Sequence, residues 1–565
     1  MLDGIWGQAA VVSLVLFGAV NLFDVIDRFG WQAVDLPPLP FALFSFWVAL
    51  RNACGYTLLA VAPVFLFGRA ARWLLAPAFA FVAGIEAACK YTELVWHASL
   101  SEIWISLLLN TSVMEALTFL KTVLTPTAVL GLLAFLLFLA CGVRALMQAR
   151  YPRPSPRTFA CGLALALPFL VLNVLTMNWH FGVAQMRYTS FIVSSVMSCR
   201  QMRGILMACA NAQLPESLPL AVEADRAPNV IIVLGESATR NNWHLYGYPR
   251  RTTPRMDALC AADGGICFRD VVGFYPATDE AICTMLTDVS TDDLSAGSWT
   301  LSEVYRRAGF RSVLISNNQF AWNDSMTGTL NRIFASCDER ISLHAAFPDE
   351  RKVQGKVFDE RTAELLRREL ARPDSRPRIV FVHLAGIHYP VHDVNPKGDD
   401  HFSDAVEGET LKGLDARMRD RRNRYDNGIL YEDKVLGLLV DAVKAEGRRP
   451  ACLLFVSDHG ESPRSPGWRD YADNDVYEVP MVVWFSESYR EAFPDVVSRA
   501  HAAAGRPMQS DELTFGLLEL GRIADAPGWT SEKSFLDPAF KGRSRRRIDK
   551  GRRVYSRAIQ ERGAK

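Results

Sequence analysis

The chain has 565 residues, half of them hydrophobic, and 62 Lys and Arg against 61 Asp and Glu leave a net charge of +1. That length exceeds one ordinary domain, and so high an apolar share at near-zero charge excludes a lone soluble module and indicates a mixed membrane and soluble protein.

Apolar segments long enough, or nearly so, to cross roughly 30 Å of hydrocarbon fall near residues 5–23, 43–68, 73–89, 122–143 and 158–179. They predict an N-terminal α-helical transmembrane bundle of about five spans over residues 1–180. Arg51 interrupts the second span, Glu86 sits in the third, and Arg69 to Arg72 leave only a tight turn between them. Arg69 and Arg72 in one short loop, with Arg144, Arg150, Arg153 and Arg157 in another, mark the cytoplasmic side. Asp24, Asp27, Asp35, Glu93 and Glu102 mark the opposite side. Alternation then puts everything after residue 180 outside, in the periplasm of a host with two membranes. The first span reads as a retained anchor, because no basic stretch precedes it and four more follow. This topology makes nucleic acid a poor partner.

Between the third and fourth spans, Thr111 and Glu115 stand four residues apart on one face of a helical pattern, where a lipid head group could meet them. A solvated interfacial helix is the plainer alternative. Residues 181–226 read as a connector along the membrane surface, with Arg187, Arg200 and Arg203 among short apolar patches before Pro215 and Pro219.

From residue 227 to 540 the pattern is α/β. Apolar runs at 229–234, 312–316, 378–384, 451–457 and 480–485 alternate with amphipathic stretches at 299–308, 357–371, 424–446 and 511–520, which predicts a mostly parallel sheet between helices. Two runs end in chemistry. Asn229–Leu234 runs into Gly235-Glu236-Ser237, and Cys452–Val456 runs into Ser457-Asp458-His459-Gly460. Ligands gather where such strands end, and carboxylate with imidazole suits zinc. Thr278, in Tyr275-Pro-Ala-Thr-Asp-Glu280, reads as the N-cap of a helix with acids in its first turn. Metal coordination and the helix dipole would both lower its hydroxyl pKa, as a threonine nucleophile requires. A plain helix cap is the commoner fate of such a residue. His383 and His388 flank Gly386 after the strand at 378–383, with His392 beyond. One of them is expected to be functional, general acid work suiting an imidazole that titrates near neutral pH, while His383 could instead be a satisfied core histidine.

Taken together, Gly235-Glu-Ser237, Tyr246-Gly-Tyr-Pro-Arg-Arg-Thr-Thr-Pro254, Thr278, His383-Leu-Ala-Gly-Ile-His388, Tyr425-Asp-Asn-Gly-Ile-Leu-Tyr431 and Ser457-Asp-His-Gly-Glu-Ser462 resemble the lipid-linked phosphoethanolamine transferases of the alkaline phosphatase/sulfatase superfamily. The resemblance implies an inner-membrane enzyme, acting as a monomer, with a sulfatase/alkaline-phosphatase-like α/β domain in the periplasm. It implies one catalytic zinc, with manganese as the alternative ion, on Glu236, Thr278, Asp458 and His459. It makes Thr278 the nucleophile that carries phosphoethanolamine from phosphatidylethanolamine to lipopolysaccharide, on lipid A or a core sugar, or to another envelope glycolipid. It gives His388 a proton-donor or phosphate-contact role, His383 a secondary place near the substrate, and Thr111 and Glu115 the ethanolamine ammonium.

Two departures stand out: no histidine follows Ser462 at the usual distance, the chain reading Trp468-Arg-Asp-Tyr-Ala-Asp-Asn-Asp475, and Asn317-Asn-Gln319 lacks the downstream lysine. A phosphatase or sulfatase-type hydrolase and a non-enzymatic envelope sensor are the competing readings. A sulfatase would want Cys or Ser in a Cys-x-Pro-x-Arg setting, which Thr278-Asp-Glu-Ala-Ile282 does not supply, and the sensor fits poorly with an intact ligand set. Seven of eleven cysteines follow residue 180, where disulfides persist. Pairs Cys260–Cys267, Cys283–Cys337 and Cys199–Cys209 are expected, with Cys452 free. Residues 541–565 form a basic tail with eleven Lys or Arg against two acids, suited to solvent or to an anionic membrane.

Overall fold

The computed structural model describes residues 67–96 and 126–148 and, beyond 226, residues 226–289, 299–318, 329–354, 356–388, 414–463, 473–523, 525–543, 545–548 and 553–556, with isolated positions between. The chain divides into two compact units, Met1–Ser198 and Cys199–Lys565.

In the first unit, α1 (Arg72–Trp96) packs on α2 (Pro126–Gln148). Phe79 and Leu146 form their buried contact, the Phe79 and Phe138 rings stand 5.8 Å apart, and Arg72 Nη1 donates to the Met147 carbonyl at 3.1 Å. Only glycine fits at 142, where a Cβ would come within 2.3 Å of the Phe79 ring. α1 covers the stretch expected at 73–89, and α2 covers residues 126–143 of the stretch expected at 122–143, whose first residues lie outside the described ones. Among the described residues, Ala128–Gln148 is the one helix long and apolar enough to cross a membrane. The spans expected at 5–23, 43–68 and 158–179, and Thr111 and Glu115, lie outside the described residues apart from a few positions at the segment ends.

The second unit is built on one seven-stranded sheet. Its strands are β1 (Asn229–Gly235), β2 (Gly265–Phe268), β3 (Arg311–Ser316), β4 (Glu339–Ser342), β5 (Arg378–His383), β6 (Ala451–Ser457) and β7 (Met481–Phe485). Their order across the sheet is β2-β7-β6-β1-β5-β3-β4. The five strands from β6 to β4 run parallel, while β7 and β2 add an antiparallel edge. Parallel strands covered on both faces need unbroken apolar runs, and β1 answers with Val230, Ile232 and Leu234 on one face and Ile231 and Val233 on the other. Helices α3 (Pro254–Ala262), α6 (Glu360–Ala371) and α7 (Ala416–Glu446) lie over the second face. Helices α4 (Thr278–Met285), α5 (Leu301–Arg307) and α8 (Thr514–Leu520) lie over the first.

The long α7 starts at Asp415, whose side chain accepts from the Met418 N–H at 2.8 Å, and stops at the left-handed Gly447. Its Arg250–Asp426 ion pair is wholly buried at 2.8 Å, and Asp426 also accepts from Asn242 and Tyr248.

Two cysteine expectations are overturned. Cys260, Cys267 and Cys337 carry free thiols, so neither Cys260–Cys267 nor Cys283–Cys337 forms. Cys260 is held in α3 and Cys267 in β2, in contact with the Tyr246 hydroxyl, while the Cys337 thiol accepts from Ser312 at 3.4 Å. Cys283 is disulfide-bonded elsewhere, and Cys452 is free as expected.

Past residue 541 the described residues lie on the domain. Arg543 pairs with Asp511, Arg546 with Asp270 at 2.7 Å, and the short antiparallel pair β8 (Arg547–Ile548) and β9 (Arg553–Val554) leads to Tyr555, whose hydroxyl bonds Glu478. Ile548 and Tyr555 bury against Val272, Val476 and Tyr477.

Candidate metal centre and nucleophile

The register of the two central strands assembles the site. Gly235 of β1 lies opposite Ser457 of β6, so the residues that follow each strand, Glu236 and Asp458, emerge side by side. The Asp458 N–H donates to the Gly235 carbonyl at 3.1 Å, and Asp458 Oδ1 accepts from the Ser237 N–H at 3.0 Å and the His459 N–H at 2.7 Å. Ser237 takes a left-handed backbone, φ 64°, uncommon for a residue with a side chain. The Tyr425 hydroxyl fixes that turn by donating to the Ser237 carbonyl at 2.7 Å and accepting from the Thr239 N–H at 2.8 Å.

His459 Nδ1 bonds the Gly460 carbonyl at 2.8 Å, which turns Nε2 toward the carboxylates. Nε2 stands 3.4 Å from Glu236 Oε1 and 3.6 Å from Asp458 Oδ2. A backbone carbonyl on one ring nitrogen and a ligand position on the other is the usual arrangement of a metal-binding histidine. One ligand atom from each of Glu236, Asp458 and His459 lies within 4.8 Å of the others, and all three residues are buried.

Their electrostatics are those of a site built for a cation. Burial, then the charge of Glu236, pushes the Asp458 carboxyl up. Burial also opposes ionisation of Glu236, yet its hydrogen bond to His459 and the charges of His388 and His459 hold its carboxyl well below the ordinary range. At His459, burial is outweighed by Asp458 and Glu236, which hold the ring up to about 10. The fit to a metal rests on Asp458 Oδ2: it is buried and finds no hydrogen-bond partner among the described residues, while its sister oxygen takes two. Two carboxylates and an imidazole are zinc donors.

Thr278 completes the group. Its Oγ1 donates to Glu236 Oε2 at 3.0 Å. It is the first residue of α4, not the N-cap expected from sequence: the cap is Ala277, whose methyl can make no hydrogen bond. The Thr278 hydroxyl is therefore free of capping and turned to Glu236, one of the candidate metal ligands. Asn318, just past β3, adds a longer contact to Glu236 Oε2 at 3.4 Å. Its motif was visible in sequence, but nothing there linked it to Glu236.

The two histidines after β5 separate. His383, the last residue of β5, is wholly buried with neither ring nitrogen partnered among the described residues, and burial lowers it to about 4, so its imidazole is neutral. His388 is half-buried and close enough for its charge to bear on Glu236. His392 lies outside the described residues.

The comparisons with known proteins agree with this geometry. Residues 228–521 match the family described as Sulfatase. The chain is 25% identical over 563 residues to phosphoethanolamine transferase EptC of Escherichia coli K12, covering 92% of this chain and 94% of that one. It is 27% identical over 569 residues to phosphoethanolamine transferase CptA of Salmonella typhimurium, covering 93% and 95%. Among solved structures, the periplasmic domain of E. coli EptC in complex with zinc superposes with a TM-score of 0.53 at 27% identity, over 61% of this chain and 96% of that one. The membrane-integral lipooligosaccharide phosphoethanolamine transferase EptA of Neisseria meningitidis shares the fold over 94% of this chain and 97% of its own, with a TM-score of 0.67 at 19% identity. The family match spans more than half the chain and encloses Glu236, Thr278, Asp458 and His459, and the protein belongs to the sulfatase family.

Proposed function

We propose that the protein is a zinc-dependent phosphoethanolamine transferase of the bacterial inner membrane, with its catalytic domain in the periplasm. It takes phosphoethanolamine from phosphatidylethanolamine and passes it to lipopolysaccharide, on lipid A or a core sugar. The curated relatives named phosphoethanolamine transferase, similar over more than nine-tenths of the chain, support this reading. The observation that carries it is the Thr278 hydroxyl set 3.0 Å from Glu236 inside a buried carboxylate and imidazole group.

Glu236, Asp458, His459 and the Thr278 oxygen would hold the zinc, which when bound neutralises charge developing on phosphoryl oxygens. In the first half-reaction Thr278 Oγ1 attacks phosphorus. The new threonine O–P bond forms, the bond from phosphorus to the diacylglycerol oxygen breaks, and diacylglycerol leaves as the alcohol. The Thr278 proton leaves from its hydrogen bond to Glu236, a carboxylate too acidic to keep it, and His388 carries it to the leaving oxygen. In the second half-reaction an acceptor oxygen displaces Thr278, with the same groups working in reverse. His383, neutral and wholly buried at the end of β5, stays near Glu236 without reaching substrate, and Thr111 and Glu115 are our candidates for the ethanolamine ammonium. The chain acts as a monomer, since each half-reaction uses residues of one copy.

The experiment is to incubate the full-length enzyme with labelled phosphatidylethanolamine and no acceptor, then sequence its peptides. Label on Thr278 with release of diacylglycerol is expected. Label on another residue, or diacylglycerol release undiminished in Thr278→Ala, would overturn the mechanism.

A further inference from the structure

Asp359 immediately precedes α6 and is buried, and three donors converge on its carboxylate. The Ala385 N–H reaches Oδ1 at 3.0 Å, the Gly386 N–H reaches Oδ2 at 2.9 Å, and Asn317 Nδ2 reaches Oδ1 at 2.8 Å. Consecutive backbone N–H groups around a left-handed residue make a concave cradle for an anion. Gly386, at φ 54°, supplies that bend. The chain fills the cradle with its own carboxylate.

The three donors come from two strand ends that both reach the metal centre. Asn317 follows β3, directs its second amide hydrogen to the Val357 carbonyl at 2.9 Å, and precedes Asn318 with its contact to Glu236. Ala385 and Gly386 follow β5 and lead to His388. The turn they form presses on a metal ligand: a Cβ on Gly386 would lie 2.6 Å from the Glu236 carbonyl oxygen, and the Ile387 N–H donates to that same oxygen at 3.0 Å. Burial pushes the Asp359 carboxyl up, and the hydrogen bonds from Ala385, Asn317 and Gly386 counter that rise by favouring the charged form.

We propose that Asp359 is a positioning residue for phosphoethanolamine transfer, acting through the Ala385–Ile387 turn to set His388 against Glu236 and Thr278 without touching substrate. This rests on the function proposed above. Asp359 belongs to none of the sequence motifs that carry the metal centre, and only the folded arrangement connects it to them.

The test is a double-mutant cycle in the full-length enzyme with labelled phosphatidylethanolamine. Asp359→Asn keeps the size of the side chain but turns an amide donor toward an N–H donor. Turnover should fall at least about tenfold, a part of the roughly 10²–10⁴-fold that a positioned proton donor contributes. The KM for the donor should stay within about twofold and zinc content should be unchanged. In a His388→Ala background the same substitution should cost less than about twofold, because the contribution it supports is already gone. Asp359→Ala, which opens the cradle without adding a donor, should reproduce the turnover loss. Turnover of Asp359→Asn within about twofold of wild type would overturn the proposal, and so would losses that simply multiply in the His388→Ala background, the mark of a merely structural role. Failure of the transfer reading itself would show separately, as a Thr278→Ala enzyme that still transfers.

Discussion

Thr278 Oγ1 and Glu236 Oε2 are 3.0 Å apart although 42 residues separate them in the chain, and the hydroxyl is committed to that carboxylate instead of to its own helix. Thr278→Ala therefore removes the proposed nucleophile without removing a cap, and alanine is the better helix former. Transfer should be abolished while stability changes by less than about 1 kcal/mol, read as an unchanged unfolding midpoint. Thr278→Ser keeps the oxygen and should retain measurable turnover. A Thr278→Ala enzyme transferring at a comparable rate would mean direct displacement at phosphorus.

Metal analysis of the purified protein should give about one zinc per chain, and Asp458→Ala or His459→Ala should lose most of it, because each removes one of three buried donors. Full zinc content in both variants would rule out this ligand set. Manganese in place of zinc would change the ion and leave the ligands standing.

Gly460 offers a backbone test. A Cβ there would fall 2.1 Å from the Asp475 carbonyl oxygen, and the Gly460 N–H is already bound to the Val476 carbonyl at 2.7 Å. Gly460→Ala must push the metal-ligand turn away from its support, so zinc affinity and transfer should both fall at least about tenfold, in the range of lost outer supports of a metal site. Normal zinc binding in that variant would show that the turn tolerates the shift.

Glu432 gives a pH test. Both its carboxylate oxygens are buried on α7 without a partner among the described residues, and burial, reinforced by Asp359, Asp458, Asp433 and Glu236, pushes its pKa well above the usual 4.5. The folded protein keeps this proton where the unfolded chain has lost it. Stability from this group is thus present below 4.5 and is lost as pH rises above it, by about 1.4 kcal/mol per unit until the folded value is passed. Glu432→Gln carries no such slope. In chelator-treated protein, its unfolding midpoint should gain on wild type as pH rises above about 5. A constant difference across that range would show that Glu432 is not held neutral.

For topology, a reporter active only outside the cytoplasm should work when fused after residue 226 and fail when fused near Arg150. The reverse pattern would invert the proposed orientation.

What sequence revealed of the site was what adjacent strands share. Gly235-Glu236 and Ser457-Asp458-His459 each end an unbroken apolar run, and parallel pairing of two such runs leaves their last residues side by side. Five of the seven strands were legible for the same reason, with β6 falling on its expected bounds and β5 ending one residue early at His383, while β2 and β4, four residues each, left no apolar run to read. The rest depends on contacts without a local signature. Ala277 caps α4 because the chain needs the Thr278 hydroxyl elsewhere, and no propensity foretells that. Asp359 looks like an ordinary acid before a helix until Ala385 and Gly386 fold onto it. Cys260 and Cys267 bracket a short loop, but one lies on a helix and the other on a strand that pairs with β7.

The C-terminal strands carry a consequence in time. Tyr555 bonds Glu478, and Ile548 packs on Val476 and Tyr477, the same short segment whose Val476 carbonyl holds Gly460 beside the metal ligands. A chain made from its N-terminus has Glu236, Thr278, Asp458 and His459 long before it has Tyr555. The brace behind the ligand turn is thus added last, so a chain cut off short of β8 would carry every ligand on a turn without its outer support.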